Sequence, residues 1–303
     1  MSTFKDFFTN YAIFLGRRFY PKEKLKFLAL AQKELENANY PVNITQSEEK
    51  IVGEKILYHN LYAGDFKKAK VVFATYYDTP KKSIFPAKPV AFNTTISKTD
   101  AIDTLLLPVS VIILTILLFY FVLMPGLAAD GFFSAAGLLS LVLFIFALMI
   151  TRKFRYGIPK RNNIIRNSSS IVSLLLYASQ KRNQEPVAFA FIDSGTTNDY
   201  GLVMLEDYLK GSKAKVVMLD SVGGEDELHL FANGKLKINQ PGVQLHKKAG
   251  SFPQMGDVFL TSGDLVDHQV VIKENEATSD IEQLELRYQK VMQVLNQVVI
   301  SLR

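Results

Sequence analysis

Chemistry in this chain has to come from carboxylates, imidazoles and hydroxyls, because its 303 residues include no cysteine and only four histidines. Without cysteine there is no disulfide framework and no thiolate metal site. His59, His229, His246 and His268 contain no i, i+4 pair of the kind that grips a metal from one helix face. The more suggestive groups follow apolar, strand-like runs. Asp78 comes just after the run 69–76, and Asp220 closes the run 215–220. A carboxylate at the end of a buried strand can ligate a metal, take a proton from water, or cap the turn that follows. His268, next to Asp267, is a third candidate donor, with plain surface decoration as its alternative. Gly223-Gly224-Glu225-Asp226 reads as an acidic loop, and Ser194-Gly195 lacks the flanking glycines of a nucleophile elbow. Sequons at Asn43, Asn93 and Asn167 are short enough to arise by chance.

The elements that must position these groups alternate in the manner of an α/β protein. A helix is predicted over 22–37, where Leu25, Phe27, Leu28, Leu30, Ala31 and Leu35 form an apolar face and Asn39-Tyr40-Pro41 ends it. Strand-like stretches follow at 42–45, 55–62 and 69–76. After residue 160 the order is helix 168–180, strand 187–192, helix 202–210 and strand 215–220, then strands near 228–231, 235–238 and 258–260. A long amphipathic helix closes the chain, with Ile281, Leu284, Tyr288, Val291, Leu295, Val298 and Leu302 on one side. This order predicts a mixed, mostly parallel sheet with helices on both faces. Neither half holds a complete sheet, so 21–98 and 156–303 are read as two parts of one domain. Residues 1–20 form a separate amphipathic segment, whose Phe4, Phe7, Phe8, Tyr11, Phe14 and Leu15 lie either in a membrane interface or against the domain itself.

Between the two halves lies a different kind of sequence. No charged residue occurs from 104 to 129, nor from 131 to 151. About 20 apolar residues at 1.5 Å rise cross a bilayer's hydrocarbon layer. Residues 104–151 therefore read as a transmembrane helical hairpin, with spans at about 104–124 and 134–151 and a turn around Pro125, Gly126, Asp130 and Gly131. Lys81, Lys82, Lys88 and Lys98 precede it, and Arg152, Lys153, Arg155, Lys160, Arg161 and Arg166 follow it. Basic residues stay on the cytoplasmic side, which predicts a multi-pass protein of the cell membrane with both long flanks cytoplasmic. Arg152, Lys153 and Arg155 are placed to meet anionic lipid headgroups. The net charge of +6 carries no aromatic-interleaved basic stripe, so no nucleic-acid partner is expected. The spans contain no Asp, Glu, Lys, Arg or His, which argues against a transport pathway through this chain alone.

The strand ends carry a further pattern. Residues 22–98 and 161–303 resemble the zinc-dependent aminopeptidase family that includes glutaminyl-cyclase-like enzymes, in order and spacing more than in identity. In that family a buried strand ends Ala-His-Tyr-Asp, with the His on zinc and the Asp orienting it. Here it reads Ala74-Thr75-Tyr76-Tyr77-Asp78, so Tyr76 stands at the His position. The family then has Asp-Asn-Ala-Ser-Gly opening a helix, with the Asp bridging two zinc ions; here Arg166-Asn167-Ser168-Ser169-Ser170 puts Arg166 in its place. A following strand ends Glu-Glu in the family, general base and ligand, where this chain has Gly195-Thr196. Asp220 matches the ligand Asp of the next strand, and His268 is aligned with the last ligand His.

The resemblance implies a zinc-exopeptidase-like fold interrupted by the hairpin, with Tyr76, Asp78, Arg166, Asn167, Gly195, Thr196, Asp220 and His268 at vestigial site positions. A catalytic zinc wants about three His, Asp or Glu ligands and an adjacent base. An Arg at a metal-bridging place repels a divalent ion. The expectation is thus a membrane-anchored, catalytically inactive peptidase-like protein without cofactor, a scaffold or accessory subunit docked on a membrane-protein partner. A working membrane-bound metallo-aminopeptidase or related hydrolase with an atypical zinc site is the alternative. The expected arrangement also has Arg166 pairing with Asp78 or Asp220, a fixed cation in place of the metal charge.

Overall fold

The computed structural model describes residues 3–51, 54–82, 89–93, 98–131, 133–154, 157–160, 163–196, 198–248, 250, 252–273 and 280–302. In chain order the first elements are α1 (Phe4–Phe7), continued by a π-helical stretch Phe8–Phe14, then α2 (Pro21–Asn37), β1 (Val42–Ile51), β2 (Glu54–Ala63) and β3 (Val71–Tyr76). Next come α3 (Lys98–Leu118), a π-helical turn Phe119–Leu123, α4 (Met124–Asp130) and α5 (Ala135–Phe154). The second half holds α6 (Ser169–Lys181), β4 (Val187–Ile192), α7 (Tyr200–Tyr208), β5 (Lys215–Leu219) and β6 (Leu228–Ala232). It ends with β7 (Val243–Lys247), β8 (Val258–Ser262), β9 (Asp264–Val266), β10 (Gln269–Val271) and α8 (Ile281–Leu302). The chain divides into two compact units, one from Met1–Pro80, Lys88–Thr95 and Lys160–Arg303, the other from Lys81–Ala87 and Ile96–Pro159.

The first unit is built on an eight-stranded sheet of order β1-β2-β4-β3-β5-β8-β6-β7. Its centre, β4-β3-β5-β8, is parallel, while β1, β2 and the β6–β8 pair run antiparallel to their neighbours. The two-residue period of the strands splits the core cleanly. Val71, Phe73, Phe189, Phe191, Val217 and Leu219 face a layer containing α1, α2, α6 and α8. Val72, Ala74, Tyr76, Ala190, Ile192 and Met218 face the opposite layer, which includes Leu202 and Leu205 of α7. The fold class is therefore the mixed α/β sheet with helices on both faces. Phe4, Phe7, Phe8, Tyr11 and Ala12 are buried in the first layer, so this side of the N-terminal segment packs on its own domain.

Two predicted elements differ. Residues 235–238 are not a strand: the Lys237 and Asn239 amides donate to Ser301 and Gln297 of α8, so this stretch runs along the last helix instead of joining the sheet. The edge position goes to β7, which pairs in parallel with β6.

The second unit contains two helices long and apolar enough to cross a membrane, Pro108–Asp130 and Ala135–Phe154. The first continues through Pro125 and Gly126 to Asp130, past the predicted turn. Pro125 falls in the first turn of α4, directly after the π-helical turn, where its missing N–H costs little. Gly126 lets the two helices close: a Cβ there would stand 2.9 Å from the Ala136 Cβ. Arg152 and Lys153 lie in the last turn of α5, and Arg155 is outside the described residues.

Candidate functional site

Of the residues singled out from the sequence, Tyr76, Asp78, Gly195, Thr196 and Asp220 lie at the carboxyl ends of β3, β4 and β5, where open α/β sheets bind ligands. Tyr76 is the last residue of β3 and faces the α7 side; Tyr77 faces the other, stacked on Phe27 at 4.9 Å. Asp78 follows, fully buried, and its carboxylate is wholly engaged by the loop after β4. Oδ1 accepts the Gly195 amide at 2.9 Å, and Oδ2 accepts the Thr196 amide at 3.1 Å and the Thr196 hydroxyl. Burial pushes the Asp78 carboxyl above its ordinary range, opposed by the nearby Lys24 ammonium and by the Thr196 donors. Asp220, just past β5, accepts the Phe92 amide at 2.9 Å and the Ser221 hydroxyl at 2.7 Å.

The partners of both carboxylates are accounted for without Arg166, so the expected pairing with Asp78 or Asp220 does not form. The reason is local. Ahead of α6 the backbone leaves the helix at Arg166 and takes a positive φ at Asn167, +64°, and the Asn167 side-chain Nδ2 donates to the Asp78 carbonyl. Asn tolerates that conformation better than most residues. Phe92, Ser194 and Ser221, in the loops that meet here, also have positive φ. Such strained positions persist where surrounding contacts over-determine them.

Gly195 and Tyr76 fit as a pair. A Cβ at residue 195 would lie 1.7 Å from the Tyr76 Cδ1, inside the ring. The tyrosine thus occupies the volume that any side chain at 195 needs. The Tyr76 hydroxyl is buried without a hydrogen-bond partner. Burial first, then the Asp199, Asp220 and Asp78 carboxylates, hold it protonated far above the usual phenol range. His268 is exposed at the left-handed turn joining β9 and β10.

Two cations that sequence reasoning missed complete the site. Arg18 is fully buried and donates to the carbonyls of Tyr77 at 2.5 Å, Tyr11 at 3.0 Å and Leu15, and to the Ser168 hydroxyl at 2.9 Å. Burial lowers its guanidinium to about 9, opposed by Asp78 and then Tyr77. Lys24 of α2 pairs at 2.5 Å with Asp193, a fully buried carboxylate that also accepts the His59 and Ser194 amides. No sequence signal marks either cation, because the partners that tie them to the sheet-end loops, Tyr77, Ser168 and Asp193, lie 59 to 169 residues away.

Zinc does not fit these residues. The positions that resemble ligands carry Tyr76, Arg166, Gly195 and Thr196, and the oxygens of Asp78 and Asp220 are committed to amide and hydroxyl donors. Among the described residues no cluster of three or more His, Asp or Glu is placed to hold a metal ion.

Comparison with solved structures fixes the fold. A zinc-dependent exopeptidase from Parabacteroides distasonis is similar with a TM-score of 0.54 at 14% identity, over 97% of both chains. A glutaminyl cyclase from Tannerella forsythia gives 0.54 at 11% identity, covering 98% of this chain and 97% of its own. A leucine aminopeptidase precursor from Bacteroides thetaiotaomicron gives 0.53 at 11%, over 96% of both. The chain has the fold of these zinc exopeptidases and cyclases. No protein-family model and no curated protein matches the sequence.

Proposed function

We propose that this chain is a membrane-anchored protein that keeps a peptidase fold without peptidase chemistry and serves as a scaffold or accessory subunit of a membrane complex. The observation that carries this reading is the filled site. The Tyr76 ring takes the space a residue-195 carboxylate would use, and Asp78 spends both oxygens on the Gly195–Thr196 turn. Water activation needs a base beside a polarising centre. Among the described residues, the two strand-end carboxylates, Asp78 and Asp220, have both oxygens engaged by amide and hydroxyl donors. The buried Arg18, which interacts electrostatically with Asp78, and the partly buried Lys24, paired with Asp193, supply fixed positive charge there.

The anchor is the pair Pro108–Asp130 and Ala135–Phe154, whose apolar side chains are left uncovered. Basic residues flank the pair on one side, which supports a cell-membrane protein with both flanks cytoplasmic and with Arg152 and Lys153 against anionic headgroups. A hairpin with no Asp, Glu, Lys, Arg or His from 104 to 129 or from 131 to 151 suits docking on another membrane protein better than conduction. The test is the zinc content of detergent-purified protein by elemental mass spectrometry after dialysis against trace zinc, run beside aminopeptidase and glutaminyl-cyclase assays. Sub-stoichiometric metal and no turnover are expected. One or two tightly held zinc ions per chain, or turnover abolished by a chelator, would overturn the reading.

A further inference from the structure

We propose that the outward face of α2, with the adjoining Ile13–Phe14 tip, is a second membrane contact that lies on an anionic lipid surface. The proposal rests on the reading that α3–α5 sit in a bilayer. Its evidence lies elsewhere, in the sheet-bearing unit. The solvent side of α2 carries Lys22, Leu25, Lys26, Ala29, Leu30, Lys33 and Glu36, all exposed, while Phe27, Leu28, Ala31 and Leu35 go to the core. Spacings of three and four put these residues on one side of the helix. Its one acid, Glu36, lies in the last turn and accepts the Gln32 side-chain amide at 2.7 Å. Among the described residues none of its three lysines forms an ion pair.

Beside it the N-terminal segment ends in an apolar tip. Ile13 is 57% exposed and Phe14 is 76% exposed. The tip is held rigidly, because Phe7, Phe8, Tyr11 and Ala12 behind it are buried. Gly16 turns the chain back at once; a Cβ there would stand 2.3 Å from the Ala12 carbonyl oxygen. Between tip and helix runs a shallow groove of about 350 Å³ lined by Ile13, Phe14, Leu15, Arg17, Glu23 and Lys26. Its one acid, Glu23, is neutralised by Arg17 at 2.5 Å and accepts the Phe19 and Tyr20 amides.

Cations of one sign interleaved with exposed aliphatic and aromatic side chains are the composition of an interfacial surface. An acidic protein would satisfy the lysines but leaves Ile13, Phe14, Leu25 and Leu30 needing a matching apolar patch. A lipid surface supplies both chemistries.

The absence of cysteine makes the experiment clean. The full chain carrying Ala29→Cys is labelled with a polarity-sensitive dye and placed in nanodiscs of phosphatidylcholine, with or without phosphatidylglycerol, containing a headgroup-level nitroxide quencher. A second chain carries the label at Ile113→Cys in α3. Expected is quenching at residue 29 with phosphatidylglycerol present, lost in the Lys22→Gln/Lys26→Gln/Lys33→Gln variant and weakened by Phe14→Ser. Each lysine removed is expected to reduce surface occupancy about fivefold. Labels at residue 113 placed with deep-quenching lipid report the hairpin separately. If residue 113 is quenched and residue 29 is not, the contact is overturned while the anchor stands. If residue 113 is not quenched, the anchor reading itself fails. Protection of residue 29 only on adding other proteins, or quenching indifferent to phosphatidylglycerol and to the lysines, also overturns the proposal.

Discussion

Two helices of this chain are apolar on every side and meet opposite fates. In α6 every residue from Ser169 to Ala178 is buried, packed among α2, α8, β3 and the N-terminal segment. In α5 only Gly137 is buried, and Leu138, Phe144 and Met149 are each more than half exposed. Composition separates them in part: α6 carries Ser169, Ser170, Ser173 and Ser179, where α5 carries only Ser140 and Thr151 before its basic end. Length separates them further: α6 has 13 residues and α5 has 20, enough to cross a hydrocarbon layer. The comparison shows that all-round apolarity signals removal from water, while the partner that removes it, protein or lipid, is set by what else the fold can bring alongside.

One chemical change placed in both helices breaks the comparison most sharply. Leu174→Asp buries an unpaired charge among α6's neighbours and is expected to cost at least about 4 kcal/mol, leaving the sheet-bearing unit unfolded in a thermal melt. Phe144→Asp in α5 is expected to leave that melt within about 0.5 kcal/mol of the parent and instead to cost roughly 3 kcal/mol of membrane insertion. A carbonate-extraction assay reads the second effect. Equal destabilisation of the melt by both changes would mean that α5 is a core helix.

Arg18 sharpens the contrast from the polar side. The sheet-bearing unit tolerates a fully buried cation because four oxygens and the Phe27 ring surround it. The hairpin holds no Asp, Glu, Lys, Arg or His from 104 to 129 or from 131 to 151. Arg18→Met strands the Tyr11 and Tyr77 carbonyls and removes a buried cation that interacts with Asp78, an expected loss of about 3–5 kcal/mol in denaturant unfolding. A smaller effect tests the filled site. Gly195→Ala is expected to cost about 1–3 kcal/mol by overpacking, and much less in a Tyr76→Ala background. Additivity of the two changes would show that the ring and the residue-195 position do not compete for space. Tyr76→Phe removes an unpartnered hydroxyl and should be nearly neutral.

How much was legible in advance follows from the range of the signals. Strands β3, β4 and β5 and helices α2, α6 and α8 were readable because their burial pattern repeats within a few residues. Edge strand β7 was not, because its alternation, Val243-Gln244-Leu245-His246, runs for only four residues before Lys247. The helix through Pro125 was hidden by a residue that normally breaks one. At the site, the positions of Tyr76, Asp78 and Gly195 could be placed from strand ends. Their interlocking could not, since Asp78 caps a turn 117 residues away rather than its own. Arg18 and Lys24 look like any other cations in a basic N-terminal segment until the fold delivers their partners.

The two regions should also differ in their response to acid, and this is the smallest effect. The residues from 104 to 129 and from 131 to 151 have nothing to titrate near neutrality. The sheet-bearing unit has His246 on β7, 3.0 Å from His229 on β6, whose other nitrogen meets the Gly263 carbonyl. Burial, and then His229, lowers the His246 imidazole below its usual value. Its folded form therefore binds a proton less readily than the unfolded chain. The stability it contributes is present above about pH 6.5 and is lost as pH falls through its lower folded value. His59 is lowered by burial as well and adds in the same direction, with Asp193 opposing. Because His246 is partly solvated, the change should amount to only a few degrees in Tm between pH 7 and pH 5. His246→Gln should flatten that slope for the unfolding of the sheet-bearing unit and leave the helicity of α3–α5 in lipid unchanged across the same range. A slope that persists undiminished in His246→Gln would move the acid sensitivity to His59, where His59→Gln is the matching test.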